Sequence, residues 1–175
     1  MDISIILTDM GINDRGFQEM FNDYSLLMEQ ALIEARKGLD MGEVPIGAVL
    51  AGPDGEIVAR SCNQPIYLKD PTAHAEILTL RKGGEVLKNY RLQDTTLVVT
   101  AEPCVMCMGA ALNARIARLV FGTFDPKAGA AGSLYDLAQD NRFNHRIEVI
   151  SGIMEKECTI LLQDFFRTRR KRKET

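Results

Sequence analysis

Two short words in the sequence hold side chains that together could bind a metal ion and move a proton. Pro71-Thr72-Ala73-His74-Ala75-Glu76 supplies an imidazole and a carboxylate, and Pro103-Cys104-Val105-Met106-Cys107 supplies two thiols. One His and two Cys make three zinc ligands and leave a fourth position for water, which is how catalytic zinc sites are built. Cys104 and Cys107 are i and i+3, so at a helix start they share a face and can hold one ion. The positive end of that helix favours thiolate. Two thiolates and a neutral imidazole balance the charge of Zn²⁺, which lowers the pKa of a bound water from 15.7 to about 7. Glu76 is then the candidate proton shuttle. Each piece has a plainer reading when taken singly. A lone His near an apolar helix is commonly structural, and a lone CxxC can be a redox pair, half a structural zinc site or two core thiols. Glu76, two residues from His74, could simply be a carboxylate at the positive end of a helix.

Elements that can position these side chains are legible around them. Thr95 to Thr100 is a β-branched apolar run that reads as a buried strand feeding the Cys104 word. Helical spacing begins near Tyr24, with Met28, Ala31, Leu32, Ala35 and Leu39 on one face and Gly42 at its end. Val44–Leu50 and Ile57–Ala59 read as a hairpin about Pro53-Asp54-Gly55. Asp70 or Thr72 is a possible cap for the helix opened by the first word. Gly83-Gly84 is expected to end that helix, because paired glycines are costly inside one. Ala117–Phe121 and Arg146–Ile150 read as further strands, and Gly129–Gly132 as a loop. A last helix runs from Met154, with Cys158, Leu161, Leu162 and Phe165 at i, i+3, i+4 and i+7. A hairpin followed by alternating helices and strands implies α/β architecture, with helices covering a mixed sheet and the ligands at one sheet edge.

Composition narrows the class. At 175 residues, with 46% hydrophobic and 26% charged content, the chain suits one globular domain. No apolar run approaches the ~20 residues of a membrane span. Asp2 and the lack of a basic leader make Ile3–Leu7 a poor secretory signal, so the expected compartment is the cytoplasm. There, close cysteines are metal ligands or catalytic thiols more often than disulfides, while Cys62 and Cys158 read as small buried hydrophobes. The net charge of −3 conceals Arg167, Arg169, Arg170, Lys171, Arg172 and Lys173; setting those six aside leaves −9. Such a tail either contacts a polyanion or is a solvated end.

H-x-E followed by P-C-x-x-C is the signature of zinc-dependent nucleobase deaminases. The chain from about Phe17 to Arg170 resembles the bacterial tRNA-specific adenosine deaminases, within the cytidine deaminase-like superfamily. Beyond the two words, the similar pieces are Gly42–Val49, Asn63, Asn89-Tyr90-Arg91-Leu92, Gly129–Leu134, Asn144-His145-Arg146 and Asp164-Phe165-Phe166-Arg167. The resemblance implies a three-layer α/β/α fold with a central mixed sheet of about five strands. It also implies a single deaminase domain over 17–175, preceded by an extension over 1–16 that receives nothing from it. The activity implied is conversion of the wobble adenosine of a tRNA anticodon loop to inosine by a homodimer with one Zn²⁺ per chain. His74, Cys104 and Cys107 are then the ligands and Glu76 the proton shuttle. By position, Asn63 contacts the flipped adenine, Asp125, Lys127 and Asn144 the anticodon loop, Phe166 a neighbouring nucleotide, and Arg169 or Arg170 a phosphate. Phe166 could instead extend the apolar helix face, and Asn144 could be a turn residue.

Two rivals remain at this level. A deaminase of a free purine or pyrimidine would share the zinc chemistry, but leaves Phe165-Phe166, the basic tail and Asn144-His145 without a role. A small RNA-binding module with structural zinc needs a fourth ligand, for which Cys62 or His145 is available.

Overall fold

The structure, a computed structural model, describes residues 14–171. The elements in chain order are α1 (Asp14–Asp40), β1 (Gly47–Ala51), β2 (Ile57–Cys62), α2 (Pro65–Leu68), α3 (Ala75–Leu87), β3 (Thr96–Ala101), α4 (Val105–Ala114), β4 (Arg118–Thr123), β5 (Glu148–Ser151) and α5 (Glu155–Lys171). Among the described residues no helix is long and apolar enough to cross a membrane.

The five strands form one mixed sheet in the order β2-β1-β3-β4-β5. β1 pairs antiparallel with both β2 and β3, while β3–β4 and β4–β5 are parallel. β2, β3 and β4 therefore run the same way, and their carboxyl ends share one edge. Ala101 at the end of β3 lies opposite Thr123 at the end of β4. β3, the run expected from its β-branched residues, is buried along its whole length. Its side chains alternate between two cores. Val98 joins Val49, Ala51 and Val120 beneath Met28, Ala31 and Leu32 of α1 and Cys158 of α5. Leu97 and Val99 join Ala48, Leu50, Leu119 and Phe121 beneath Leu80 of α3 and Met108 and Leu112 of α4. Two helices on each face of one sheet make the expected three-layer α/β/α fold.

Several boundaries differ from the sequence reading. α1 starts at Asp14, ten residues before the first periodic position; residues 1–13 of the expected extension lie outside the described residues. Leu39, expected on its buried face, is exposed. β1 begins at Gly47 rather than Val44, and β2 continues to Cys62. Neither Asp70 nor Thr72 caps α3: the Asp70 carboxylate accepts from the Thr72 N–H (2.8 Å) and hydroxyl (2.7 Å) in the preceding turn. Gly83-Gly84 does not end α3, which continues to Leu87 and closes at Lys88 in the left-handed conformation. The reason is packing. A Cβ on Gly83 would stand 2.3 Å from Leu50 Cδ2, so the glycine lets the helix approach β1, and tertiary contact outweighs the propensity cost.

Candidate active site

Each word places its first ligand at a helix N-cap. His74 precedes α3 and Cys104 precedes α4, both with extended backbone (φ −69°, ψ 153° and φ −75°, ψ 173°), and neither side chain caps its own helix. Their carbonyls accept the first helical bonds, from Leu78 (3.0 Å) and Met108 (2.9 Å). The side chains are thereby released to meet across the sheet edge. β2 and β3 end on that edge, so residues 30 positions apart come together: Cys104 Sγ lies 3.8 Å and Cys107 Sγ 3.5 Å from His74 Nδ1. The three donor atoms all lie within 4.8 Å of one another.

The donor set fits zinc. Tetrahedral bonds of about 2.3 Å to sulfur and 2.0–2.1 Å to nitrogen put sulfur and nitrogen about 3.6 Å apart, close to both observed separations. The electrostatics agree in direction. The Cys104 thiol is pushed down to about 3, chiefly by a hydrogen bond from Cys107, with His74 adding to the effect. Cys107 is pushed up because it donates that bond and because it is buried. Interaction with Cys104 raises the His74 imidazole. A cluster that holds protons between sulfur and nitrogen in this way is one in which a divalent cation can take the protons' place. The fourth ligands that a structural site would need are engaged elsewhere. Cys62 is buried beside Gly38, 3.9 Å from the Gln64 amide nitrogen, and His145 Nε2 is bonded to the Ile116 carbonyl at 2.7 Å. Among the described residues, the ligand cluster has three members.

Glu76 lies in the first turn of α3 and is 4% exposed. Burial pushes its carboxyl up, the nearby His74 opposes that, and its Oε2 is buried with no hydrogen-bond partner among the described residues. An orphaned carboxylate oxygen beside a three-ligand cluster is the acceptor that a solvent molecule or substrate proton would satisfy. Asn63, at the end of β2, is 5% exposed, and its Oδ1 accepts the Ala75 N–H at 2.7 Å. It thus caps the helix that His74 leaves uncapped, and fixes which end of its amide remains for other partners.

The remaining sequence-expected residues lie in three places. Asp125 and Lys127 belong to the loop after β4, where the Asp125 carboxylate accepts the N–H groups of Lys127 (2.9 Å) and Ala128 (3.2 Å). Asn144 lines a surface cleft of about 380 Å³ with Tyr90, Arg91, Phe143 and His145, which contains none of the three ligands. Phe166 projects from α5, 47% exposed, edge-on to Phe165 with ring centres 5.3 Å apart. Arg169 is tied back to the chain, donating to the Gly42 carbonyl at 2.5 Å and lying over the Phe165 ring at 4.9 Å, whereas Arg170 is exposed.

One residue escaped the sequence reading. Glu102, between β3 and Pro103, is 4% exposed and accepts the backbone N–H groups of Asp125 (3.0 Å), Ala131 (3.0 Å) and Ser133 (2.9 Å), and the Ser133 hydroxyl. The available signal was a carboxylate closing a buried strand, which requires donors that no neighbour in sequence supplies.

The geometry agrees with comparisons to known proteins. The family described as the cytidine and deoxycytidylate deaminase zinc-binding region matches residues 21–123. The tRNA-specific adenosine deaminase of Bacillus subtilis is 48% identical over 148 residues, covering 85% of this chain and 91% of that relative. That of Haemophilus influenzae is 48% identical over 147 residues, covering 84% and 85%. A chain solved in a study of A-to-I editing by tRNA:A34 deaminases at the wobble position superposes with a TM-score of 0.75. It is 46% identical, covering 78% of this chain and 98% of that one. A guanine deaminase from Nitrosomonas europaea, 24% identical with a TM-score of 0.68 over 81% and 83%, shares the fold. With the signature, the sheet-edge cluster and this identity over most of its length, the chain belongs to the tRNA-specific adenosine deaminase family of zinc-dependent deaminases.

Proposed function

We propose that this protein hydrolytically deaminates the wobble adenosine of a tRNA anticodon loop, giving inosine and ammonia. The observation that carries the reading is the buried, unpartnered Glu76 oxygen beside the His74, Cys104 and Cys107 donors. His74, Cys104 and Cys107 would hold Zn²⁺, which when bound would supply Lewis-acid activation of water. Glu76 receives a proton from the attacking water, delivers it to the ring nitrogen, and assists the departure of the exocyclic amine as ammonia. Its raised pKa suits a group that must both take and return a proton. Asn63 orients the base through its amide nitrogen, its oxygen being engaged by Ala75.

Adenosine in a loop is distinguished from the free nucleoside by contacts beyond the base. Asp125, Lys127, Asn144, Phe166 and Arg170 make those contacts, stacking and polar interactions that only a polymer offers. Arg169, bound to Gly42, reaches phosphate only by leaving that carbonyl. The working unit is a cytoplasmic homodimer of single-domain chains, a reading supported by the exposed Val86 on α3, Tyr90 in the connection after it and Val105 on α4. Light scattering of the zinc-loaded protein checks the dimer.

Purified protein assayed on an anticodon stem-loop and on free adenosine, guanine and cytidine tests the function. A strong preference for the stem-loop is expected, with Glu76→Ala inactive yet retaining zinc and Cys104→Ala losing both. Comparable kcat/KM on any free base or nucleoside overturns the tRNA assignment, and near-normal turnover by Glu76→Ala overturns the proton shuttle.

A further inference from the structure

Glu102 is a buried carboxylate to which the proposed chemistry assigns no part, and its environment is built rather than incidental. It follows β3 directly and sits two residues before the ligand Cys104. All four of its donors come from a segment 23–31 residues further along the chain, the loop between β4 and β5. Its own N–H donates at 2.8 Å to the carbonyl of Thr123, the last residue of β4, so the main chain holds the strand end from which that loop leaves. Two more links tie that loop to the metal word: the Ala130 N–H donates to the Pro103 carbonyl at 2.9 Å, and Cys104 forms an isolated antiparallel bridge with Gly129. Gly129 is needed for the fit, because a Cβ there would stand 2.2 Å from Glu102 Oε2 and 2.6 Å from the Asp125 carbonyl. The loop turns outward the side chains able to meet a nucleotide: Phe124, Lys127, Leu134 and Tyr135 are all exposed.

We propose that Glu102 is a positioning residue that clamps the Asp125–Ser133 loop to the Pro103-Cys104 turn, so that substrate contacts and metal ligands share one rigid frame. Its role in recognition rests on the RNA reading above; the clamp itself does not. The chemistry requires a carboxylate. Oε1 accepts the Ala131 and Ser133 N–H groups, while Oε2 accepts the Asp125 N–H and the Ser133 hydroxyl. A glutamine keeps one of these oxygens and turns an NH₂ toward the other donors. The Ser133 hydroxyl can rotate to accept from it, but the Asp125 N–H cannot. The loop is released first at Asp125, the end nearest β4.

Three variants and three readouts test this. In Glu102→Gln, amide exchange at Asp125 is expected to speed up about tenfold or more, because a buried charge-assisted bond is lost. Zinc stays at one per chain, and the stem-loop KM rises about tenfold with kcat within a few-fold, as for a contact that positions rather than reacts. Ser133→Ala removes one donor and gives a smaller KM increase, and Gly129→Ala, which displaces Glu102 without replacing it, reproduces the glutamine variant. These two carry the test if Glu102→Gln does not fold. Unchanged Asp125 exchange in folded Glu102→Gln or Gly129→Ala protein overturns the clamp. Loss of zinc, or a fall in kcat at constant KM, overturns the positioning role in favour of a direct part at the metal. If wild-type protein shows no stem-loop preference, the RNA reading fails while the exchange result still decides the clamp.

Discussion

Replacing Asn63 separates two jobs performed by one side chain. Its Oδ1 accepts the Ala75 N–H at 2.7 Å, with Asn63 5% and Ala75 0% exposed, and so supports the helix start from which His74 and Glu76 are presented. In Asn63→Ala the Ala75 donor stays buried without a partner, which costs about 1–3 kcal/mol. For a domain of this size each kcal/mol moves Tm by about 2–4 °C, so Tm falls by about 2–12 °C. Asn63→Asp keeps an acceptor at a helix N-terminus, where a carboxylate is favoured, and recovers most of that loss. It removes the amide N–H groups assigned to the base, so kcat/KM on the stem-loop stays about 10- to 100-fold below wild type. Thermal melts with zinc held in excess, alongside stem-loop deamination rates, give both numbers on the same preparations. An Asn63→Ala protein that melts like wild type refutes the capping argument. An Asn63→Asp protein with wild-type turnover refutes the reading of the base.

Gly83→Ala is expected to destabilise by about 1–3 kcal/mol, because its Cβ drives Leu50 out of a packed core. Gly84→Ala, whose Cβ meets only the Asn89 carbonyl at 3.4 Å, is expected to be neutral or to stabilise by up to about 1 kcal/mol; chemical denaturation distinguishes the two. Burial pushes the Cys158 thiol up to about 12 from an ordinary value of 9.0. The native state therefore retains a proton that the unfolded chain loses, and this contribution, full below pH 9, drains away as pH rises toward 12. Alkaline melts of Cys158→Ala should accordingly show a shallower decline across that window than wild type. Phe166→Ala should lower stem-loop kcat/KM about 10- to 100-fold and leave any activity on free adenosine unchanged, since one base stacked on an aromatic ring contributes about 1–3 kcal/mol; equal losses on both substrates would return Phe166 to a packing role.

Local chemistry is legible in the residues alone. The ligand types and the i, i+3 spacing of Cys104 and Cys107 identify a zinc site, because the first turn of a helix brings such residues together wherever it lies. The run from Thr95 to Thr100 is read as a buried strand for a similar reason, since its composition suits a sheet covered on both faces. Everything that depends on approach between distant segments emerges only when the chain is folded. His74 meets the cysteines only because β2 and β3 point the same way and end on one edge. Gly83-Gly84 looks like a helix end until Leu50 is seen against Gly83, where close packing outweighs propensity. Asn63 was singled out by the resemblance, but its bond to Ala75 was not legible, because the intervening turn sets that distance. Arg169 could be taken for a phosphate contact until its guanidinium is found on the carbonyl of Gly42, 127 residues away. Glu102 carried the least local signal of all: a buried carboxylate is defined by its donors, and every one of them lies on a loop that only the parallel pairing of β3 and β4 brings within reach.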